Sequence, residues 1–344
     1  MTLAVRTPNW IGDCIMVQPA LRLLESRFPG NKLVLVTSAH LAGLFGPALV
    51  SSEAAHPVIS LPPARGWREV VNGARRLSAS GIRRGVLFTN SMASALMFRL
   101  GGVRHLTGYR RDARGFLMTR GLDWPGVDGH QVDAYVDLAA AELGIPSPRN
   151  LAPRIAVPEP LANGVYRRLL ELGVREGGHW IGISPFTAYG AAKEWPQDRF
   201  RELVRLLAAE NPAVSILLFG GPADRQRLQS LAAAAPDQAF NLASCLSLAQ
   251  AVAAVSQCRV FVSNDSGMLH VAMAVNTPVA ALFGPTDPRR VAARDSGMWA
   301  IQHETPCAPC SRRQCDDHRC MNAISVAEVR DAVLALLKGA GEPA

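Results

Sequence analysis

Residues 263–270, with the sequence SNDSGMLH, form the pattern in this chain that most clearly suggests chemistry. They follow an apolar run at residues 260–262 and lead into another at residues 271–275, an order that predicts a strand, a tight polar turn and a helix. A helix that begins in small residues exposes backbone N–H groups, and these groups with the helix dipole favour a diphosphate. The same pattern is also that of an ordinary turn in which Asp265 or Ser266 caps the helix.

Three charged side chains outside this turn also follow predicted strands. Asp13 lies beside Gly12 after the first strand, where a carboxylate acts as a general base on a sugar hydroxyl or caps the next helix. Lys193 is one of only three lysines and precedes a predicted helix, so it either neutralises phosphate charge or is an ordinary loop residue. Asp224 follows a glycine pair at a strand end and either binds ribose hydroxyls or caps a helix.

The elements that position these residues alternate between strands and helices. Short apolar runs predict the strands, and segments with helical spacing separate them. One of these segments, residues 14–27, contains Pro19 and predicts a helix that begins near the proline or kinks there. Alternation of this kind is typical of parallel sheets covered by helices on both faces.

A proline-rich stretch divides the alternating pattern into two halves. Residues 144–160 contain five prolines, which is typical of an interdomain linker, and the alternation restarts after them. We therefore predict an α/β protein with two Rossmann-like doubly wound domains, residues 1–155 and 156–344, and an interdomain cleft. Ligands bind at the carboxyl ends of the strands in such sheets, which places Asp13 and the 263–270 turn at the cleft.

The composition restricts the class of protein. A chain of 344 residues with 49% hydrophobic and 19% charged residues is typical of soluble globular domains. The sequence contains neither a run of about 18 apolar residues nor a signal peptide, so we expect a cytoplasmic protein. The net charge of +8 indicates an anionic partner. The sequence has no recognised nucleic-acid-binding motif, so we do not expect that partner to be a nucleic acid.

The basic residues are densest between residues 104 and 120. This segment holds five arginines: Arg104, Arg110, Arg111, Arg114 and Arg120. Arginine forks suit carboxylate and phosphate groups. A solvated basic face or contacts with anionic lipid headgroups would give the same pattern.

The seven cysteines fall into two groups. Three lie in apolar surroundings and are expected in the cores: Cys14, Cys245 and Cys258. Four cluster in one loop that also holds His318: Cys307, Cys310, Cys315 and Cys320. The spacing of the first two is that of a zinc knuckle, and the other two would complete a tetrahedral structural site. Free thiols or an oxidised pair are the alternatives, although a reducing cytosol disfavours disulfides.

Four separated motifs together resemble those of glycosyltransferase family 9, the bacterial ADP-heptose:lipopolysaccharide heptosyltransferases. They are PNWIGD at residues 8–13, NS at 90–91 with TGYRRD at 107–112, KEWP at 193–196, and NDSGMLH at 264–270 with GPTDP at 284–288. The second motif is most similar to the members that add the second heptose, heptosyltransferase II. The resemblance implies a GT-B fold, an N-terminal acceptor-binding domain, a C-terminal ADP-sugar-binding domain, and catalysis without a metal or another cofactor.

The reaction that this resemblance implies is an inverting transfer of L-glycero-D-manno-heptose. The donor is ADP-heptose, and the acceptor is the first heptose of the lipopolysaccharide inner core. One alternative is heptosyltransferase I or another family 9 enzyme with a different acceptor. The other is a module that binds a nucleotide sugar without catalysing its transfer.

The resemblance also implies roles for the donor-side and catalytic residues. Asp13 is the catalytic base, and Lys193 acts with the helix start at Ser266 and Gly267 to hold the departing ADP diphosphate. Asp265 is expected to contact hydroxyls of the donor sugar or to cap the helix, and His270 to support the turn.

The remaining roles concern the rest of the donor and the acceptor. Thr187 is expected to contact a phosphate and Asp224 the ribose. The residues expected to bind the acceptor are Asn9, Trp10, Arg110, Arg111, Arg114 and Arg120. Because the inner-core acceptor carries carboxylates and phosphates, the arginines suit it. Contact with anionic lipid would also give the enzyme a peripheral location on the inner face of the inner membrane.

Overall fold

The computed structural model of the chain describes residues 2–45, 56–61, 66–126, 129–177, 179–291 and 297–339. The chain divides into two compact units, Met1–Ala156 and Val157–Ala344. The sequence-based prediction placed this boundary between residues 155 and 156. Over the described residues each unit has one six-stranded sheet in which neighbouring strands are parallel. The predicted α/β class, with a doubly wound sheet in each half, is confirmed.

The first unit has the strand order β3-β2-β1-β4-β5-β6. Its strands are β1 (Leu3–Arg6), β2 (Leu33–Thr37), β3 (Val58–Ser60), β4 (Arg84–Leu87), β5 (His105–Tyr109) and β6 (Arg120–Leu122). Its α-helices are α1 (Ile11–Met16), α2 (Gln18–Arg27), α3 (Trp67–Ala79), α4 (Met92–Leu100) and α5 (Gln131–Leu143).

The second unit has the strand order β12-β11-β10-β7-β8-β9. Its strands are β7 (Trp180–Ser184), β8 (Ser215–Leu218), β9 (Ala239–Asn241), β10 (Val260–Asn264), β11 (Val279–Leu282) and β12 (Met298–Ile301). Its α-helices are α6 (Glu159–Glu171), α7 (Gln197–Glu210), α8 (Arg225–Ala232), α9 (Leu248–Val255), α10 (Gly267–Ala274), α11 (Arg319–Asn322) and α12 (Val326–Gly339).

The two sheets have the same internal topology. In each, the strand order reverses between the first and fourth strands of the unit, which are β1 and β4 in one and β7 and β10 in the other. The crevice outside the carboxyl ends of the strands at such a reversal is where doubly wound sheets bind ligands. The loops after these four strands are therefore the places to look for a site.

The central strands are buried along their whole length, as expected for parallel strands covered on both faces. Every residue of β1, β2, β10 and β11 is buried. Around the second sheet, Trp195 and Phe200 pack edge to face with ring centroids 4.9 Å apart, within a core that includes β7, β8 and α12.

The predicted helix at residues 14–27 is two helices. The first, α1, begins at Ile11, and α2 starts at Gln18 after the junction residue Val17, with Pro19 in its first turn. Proline has no N–H to donate and is tolerated in a helix only in the first turn, so the chain restarts the helix at this point. The break leaves α1 as a short helix of six residues directly after β1.

In the part of the chain that the structure describes, no helix combines the length and the apolar character needed to cross a bilayer.

His56 lies between two hydrogen-bond acceptors in the first unit. Its Nε2 is 2.6 Å from Glu25 Oε1 and its Nδ1 is 3.1 Å from the Gly30 carbonyl oxygen. Both contacts require an N–H on the ring, a condition that only the imidazolium form meets. The hydrogen bond with Glu25 raises the pKa of His56, and this effect exceeds that of burial, which lowers it.

We expect the His56–Glu25 pair to make folding stability depend on pH. Because the pKa of His56 is higher in the folded state, protonated His56 stabilises the folded protein. This stabilisation is complete below the unfolded-state pKa of about 6.5 and is lost as the pH rises through the folded-state pKa. Glu25→Gln should therefore lower the free energy of unfolding by about 1–2 kcal/mol at about pH 6 and by less at about pH 9. Urea unfolding at both pH values measures this, and an equal loss at the two would contradict the pairing.

Candidate functional site

Asp13 lies in the first turn of α1, just beyond the carboxyl end of β1. Trp10 holds the N-cap position of α1, so the alternative in which Asp13 caps the helix is not realised. The Tyr135 hydroxyl of α5 donates a hydrogen bond to Asp13 Oδ1 at 2.9 Å. The helix dipole favours negative charge in a first turn. Asp13 is therefore a half-buried carboxylate held by a neutral donor, a state suited to accepting a proton.

The loop before α1 is tied to the sheet through Arg6. This side chain is 1% exposed and donates from Nη1 to the Val36 carbonyl at 3.0 Å and from Nη2 to Asn9 Oδ1 at 2.9 Å. Burial lowers the pKa of the Arg6 guanidinium. Trp10, the next residue along the loop, is 48% exposed. The Asn9 side chain is thus held by a hydrogen bond from β1, while the adjacent Trp10 indole is exposed to solvent.

Two of the predicted acceptor-binding arginines lie at the same edge of this sheet. Arg110 and Arg111 follow the carboxyl end of β5, and both side chains are about half exposed. Arg110 Nη1 contacts Asp123 at 3.2 Å, and the Arg111 guanidinium lies 5.0 Å from the centroid of the Trp124 ring. Both guanidinium groups therefore remain accessible to an anionic ligand.

Arg114 and Arg120 do not share this position; burial corrects the predicted role of Arg114 as an acceptor contact, whereas Arg120 is exposed and its role stays a prediction. Arg114 is fully buried, and its guanidinium donates to the carbonyl oxygens of Thr89 at 2.6 Å and Tyr109 at 3.1 Å. Arg120 begins β6, so it lies toward the opposite edge of the sheet, where Nη1 hydrogen-bonds the Ala141 carbonyl at the end of α5. Both arginines satisfy backbone carbonyls of the unit itself.

In the second unit, α10 begins directly after β10 through the turn identified in the sequence. Ser266 holds the N-cap position, and its hydroxyl lies 3.0 Å from that of Ser263 instead of bonding back onto α10. Gly267 is the first residue of the helix. The turn therefore aims the start of α10, with its N–H groups and positive dipole end, at the carboxyl edge of the sheet.

Asp265 pairs with Lys193 at the start of α10. Lys193 Nζ donates to Asp265 Oδ2, which also accepts from the Thr286 hydroxyl at 2.8 Å. The carboxylate therefore does not cap the helix, one of its two predicted roles. Burial by itself would raise the pKa of Asp265, but the ammonium of Lys193, the nearby His270 and these hydrogen bonds bring that pKa below its ordinary value. The Tyr189 ring lies 4.5 Å from Nζ and adds a cation–π contact.

The other predicted donor residues lie on α10 and in the loops after β7 and β8. His270 is buried one turn along α10 and acts electrostatically on Asp265. The Thr187 N–H donates to Glu194 Oε1 at 2.9 Å, and its hydroxyl donates to the Gly190 carbonyl at 3.0 Å, which closes the loop that carries Lys193. Asp224 holds the N-cap position of α8 without a side-chain hydrogen bond to that helix, and its carboxylate accepts from the Gly221 N–H at 2.9 Å, which fastens the turn after β8.

Asn264 joins the two halves of this donor site, although the sequence reasoning did not assign it a role. It is fully buried; Oδ1 accepts from the Trp195 N–H at 3.1 Å, and Nδ2 donates to the Pro185 carbonyl at 2.7 Å. The amide thus uses a donor and an acceptor to hold both ends of the Lys193 loop. The position of Asn264 at the end of a buried strand could have indicated this role, because a buried polar side chain needs hydrogen-bond partners.

We expect Asn264→Asp to destabilise the second unit. A carboxylate has no N–H for the Pro185 carbonyl and would place two acceptors together in a dry site. The free energy of unfolding should fall by about 2–4 kcal/mol at neutral pH. Urea unfolding measures this loss. Asn276→Asp, on a loop residue after α10, is the control, and losses of similar size for both variants would show that Asn264 does not anchor the loop.

The cysteine-rich segment, residues 307–320, packs against the loop that carries Lys193. The Ala192 N–H donates to the Arg313 carbonyl at 3.2 Å, and the Tyr189 hydroxyl donates to the Ser311 carbonyl at 2.6 Å. Gly190 is needed at this contact, because a Cβ there would lie 2.3 Å from the Arg313 carbonyl oxygen. The segment is thus a support for the donor site.

The predicted structural zinc site has no support in the structure. The seven cysteines are free thiols, and of the four in this segment Cys307 and Cys310 are exposed while Cys320 is buried. Across the described ranges, no group of three or more His, Cys, Asp or Glu side chains is arranged to hold a metal ion. Of the three cysteines predicted for the cores, Cys14 and Cys258 are buried and Cys245 is partly exposed.

Each unit is a doubly wound sheet, a class of fold that binds ligands such as nucleotides outside the carboxyl ends of its strands. The start of α10 beside Lys193 is suited to an anion. The profile of glycosyltransferase family 9 (heptosyltransferase) matches residues 70–320. The chain belongs to this family and is a glycosyltransferase, and its two parallel sheets are those of the GT-B fold.

Individual relatives agree with this assignment. The chain is 31% identical over 308 residues to lipopolysaccharide heptosyltransferase 2 of Escherichia coli K12, covering 84% of each chain. It is 28% identical over 330 residues to lipopolysaccharide heptosyltransferase 1 of Pseudomonas aeruginosa PAO1, covering 91% of this chain and 86% of the relative. The solved structure of E. coli ADP-heptose LPS heptosyltransferase II superposes with a TM-score of 0.82 at 27% identity, covering 98% of this chain and 99% of that one.

Proposed function

We propose that this protein transfers a heptose from ADP-heptose to the first heptose of the lipopolysaccharide inner core, with inversion at the anomeric carbon. The observation that carries the proposal is the start of α10 beside the Lys193–Asp265–Thr286 cluster, a site suited to the diphosphate of a nucleotide sugar. The similarity to heptosyltransferase 2 supports the choice of sugar and acceptor.

On the donor side, the chemistry is stabilisation of a leaving group. As the bond from the sugar to the diphosphate breaks, negative charge grows on the phosphate oxygens. The N–H groups at Ser266 and Gly267 and the Lys193 ammonium are already oriented, so they stabilise that charge without reorganising. Thr187 and Asp224 are assigned to a phosphate and to the ribose, and Asp265 to sugar hydroxyls while it holds Lys193.

On the acceptor side, Asp13 acts as the general base. Its carboxylate takes the proton from the acceptor hydroxyl as that oxygen attacks the anomeric carbon, and ADP leaves from the opposite face. This single displacement inverts the configuration and requires no covalent intermediate and no metal. Asn9 and Trp10 line the approach to the base, and Arg110 and Arg111 meet the carboxylates and phosphates of the inner core.

The choice of acceptor within the family is the finer part of the proposal. Relatives named heptosyltransferase 2 reach 31% identity, and one named heptosyltransferase 1 reaches 28%. The TGYRRD segment, which carries the exposed Arg110 and Arg111, is the feature that favours a heptose-bearing acceptor. Because this acceptor is anchored in lipid, the same basic face would also meet anionic headgroups at the inner membrane.

The test is the initial rate of ADP release from ADP-heptose with two acceptors. One carries a single heptose on Kdo2-lipid A, and the other is Kdo2-lipid A alone. We expect release with the first acceptor and background release with the second. Equal or faster release with the second would assign the protein to the first-heptose step instead.

A further inference from the structure

We propose that Tyr135 is a positioning residue for Asp13, because its hydroxyl fixes one orientation of the carboxylate and favours the charged form. The inference rests on the proposed function, in which Asp13 takes the acceptor's proton. The contact that carries it is the hydrogen bond from the Tyr135 hydroxyl to Asp13 Oδ1 at 2.9 Å. It joins α5 to α1, two elements separated in sequence by more than a hundred residues.

The Tyr135 ring is held rigidly enough to act as a fixed point. Tyr135 is 5% exposed, and its ring meets that of Phe88 edge to face at a centroid distance of 5.6 Å. Phe88 follows β4, so the ring is fixed by the sheet as well as by its own helix. A side chain locked in this way gives the carboxylate a stable partner, which is what a preorganised base needs.

The chemistry of the hydroxyl allows only one role at working pH. Burial raises the pKa of Tyr135 well above its ordinary value, the nearby Asp13 charge raises it further, and a hydrogen bond with Gln131 opposes the rise. The phenol therefore keeps its proton and acts as a donor. It does not compete with Asp13 as a base.

Two further titratable groups belong to this neighbourhood, Cys14 and Arg6. On α1, burial raises the pKa of the Cys14 thiol, with Asp13 adding to the rise, so the thiol stays neutral. From β1, the buried Arg6 guanidinium lies near Cys14 and lowers the thiol's pKa. From α5 comes Tyr135 itself. A hydrogen bond to a carboxylate favours its charged form, so losing the bond should raise its proton affinity.

The experiment compares Tyr135→Phe with Tyr166→Phe in the otherwise native enzyme. Tyr166 is the control: it lies on α6 in the second unit, where its ring stacks on that of Trp180 at a centroid distance of 5.2 Å, and it belongs to none of the four motifs. Tyr135→Phe should lower kcat about 10- to 100-fold and leave the KM for ADP-heptose within about 2-fold. It should also move the acidic limb of the kcat profile upward by about half to one pH unit. Tyr166→Phe removes the same hydroxyl elsewhere in the chain and should leave both kcat and that limb in place.

A second variant covers the case in which Tyr135→Phe does not fold. Incorporation of 3-fluorotyrosine at position 135 keeps the ring and strengthens the donor, so the acidic limb should move to lower pH. A limb that stays in place in the folded Tyr135 variants overturns the positioning role. Asp13→Asn separates the two proposals. If Asp13→Asn retains turnover, the assignment of Asp13 as the base fails as well. If it abolishes turnover while the acidic limb of the Tyr135 variants is unmoved, only the role of Tyr135 fails.

Discussion

Asp13→Asn is expected to reduce heptose transfer by about 10²–10⁴-fold, because general-base catalysis supplies a factor of that size and the amide cannot take a proton. The substitution keeps the size of the side chain and can still accept the hydrogen bond from Tyr135. The loss should therefore appear in kcat with little change in stability. Continuous ADP-release kinetics and a thermal melt of the same preparation measure the two effects.

A matched substitution controls for the loss of a charge in a first helical turn. Glu69 lies in the first turn of α3 in the same unit, and Glu69→Gln removes the same kind of helix-dipole interaction outside the site. It should turn over at the native rate. If Asp13→Asn were as active as Glu69→Gln, the proton would leave by another route and Asp13 would have only a local structural role.

Lys193→Met is expected to lower kcat/KM for ADP-heptose by about 10²–10³-fold and also to destabilise the second unit. The activity falls because a preorganised charge on the leaving diphosphate is lost. Stability falls because Asp265, whose side chain is 7% exposed, keeps a buried charge without its ammonium partner, which costs about 3–5 kcal/mol in comparable pairs. Steady-state kinetics and urea unfolding of one preparation give both quantities.

The double variant Lys193→Met with Asp265→Asn separates these two effects. Removing the second charge should restore much of the stability, since no unpaired ion remains buried, but it should not restore activity. Lys32→Met, at an exposed lysine of the first unit, controls for the change in net charge. Recovery of turnover in the double variant would mean that Lys193 serves only to neutralise Asp265.

Much of the fold followed from local pattern. The buried strands of both sheets were recognisable as apolar runs because parallel strands covered on both faces have that composition. The split between α1 and α2 was harder to predict, since Pro19 was compatible with a kink or with a helix start. Helical periodicity alone does not decide between them.

The site was predictable where one segment carries the chemistry and less so where distant segments meet. The turn around Ser266 was predictable because small residues lie between a predicted strand and a predicted helix. Nothing local marks Tyr135 as a partner of Asp13, because α5 reaches α1 only through the packing of the whole unit. Arg114 was misassigned because clustering in sequence says nothing of burial, and its side chain is fully buried. Thr286 lies in the GPTDP motif, directly after β11, and this position at the carboxyl end of a strand could have indicated its contact with Asp265.

We expect the two units to divide the work, with Lys193 binding the donor and Asp13 acting on the acceptor. The most direct measurement is calorimetric titration of ADP-heptose into the native protein, Asp13→Asn and Lys193→Met. We predict a donor affinity within about 2-fold of native for Asp13→Asn and at least about 10-fold weaker for Lys193→Met, since one charged contact is worth about 1.5–3 kcal/mol. The reverse pattern, with affinity lost in Asp13→Asn and kept in Lys193→Met, would contradict this division.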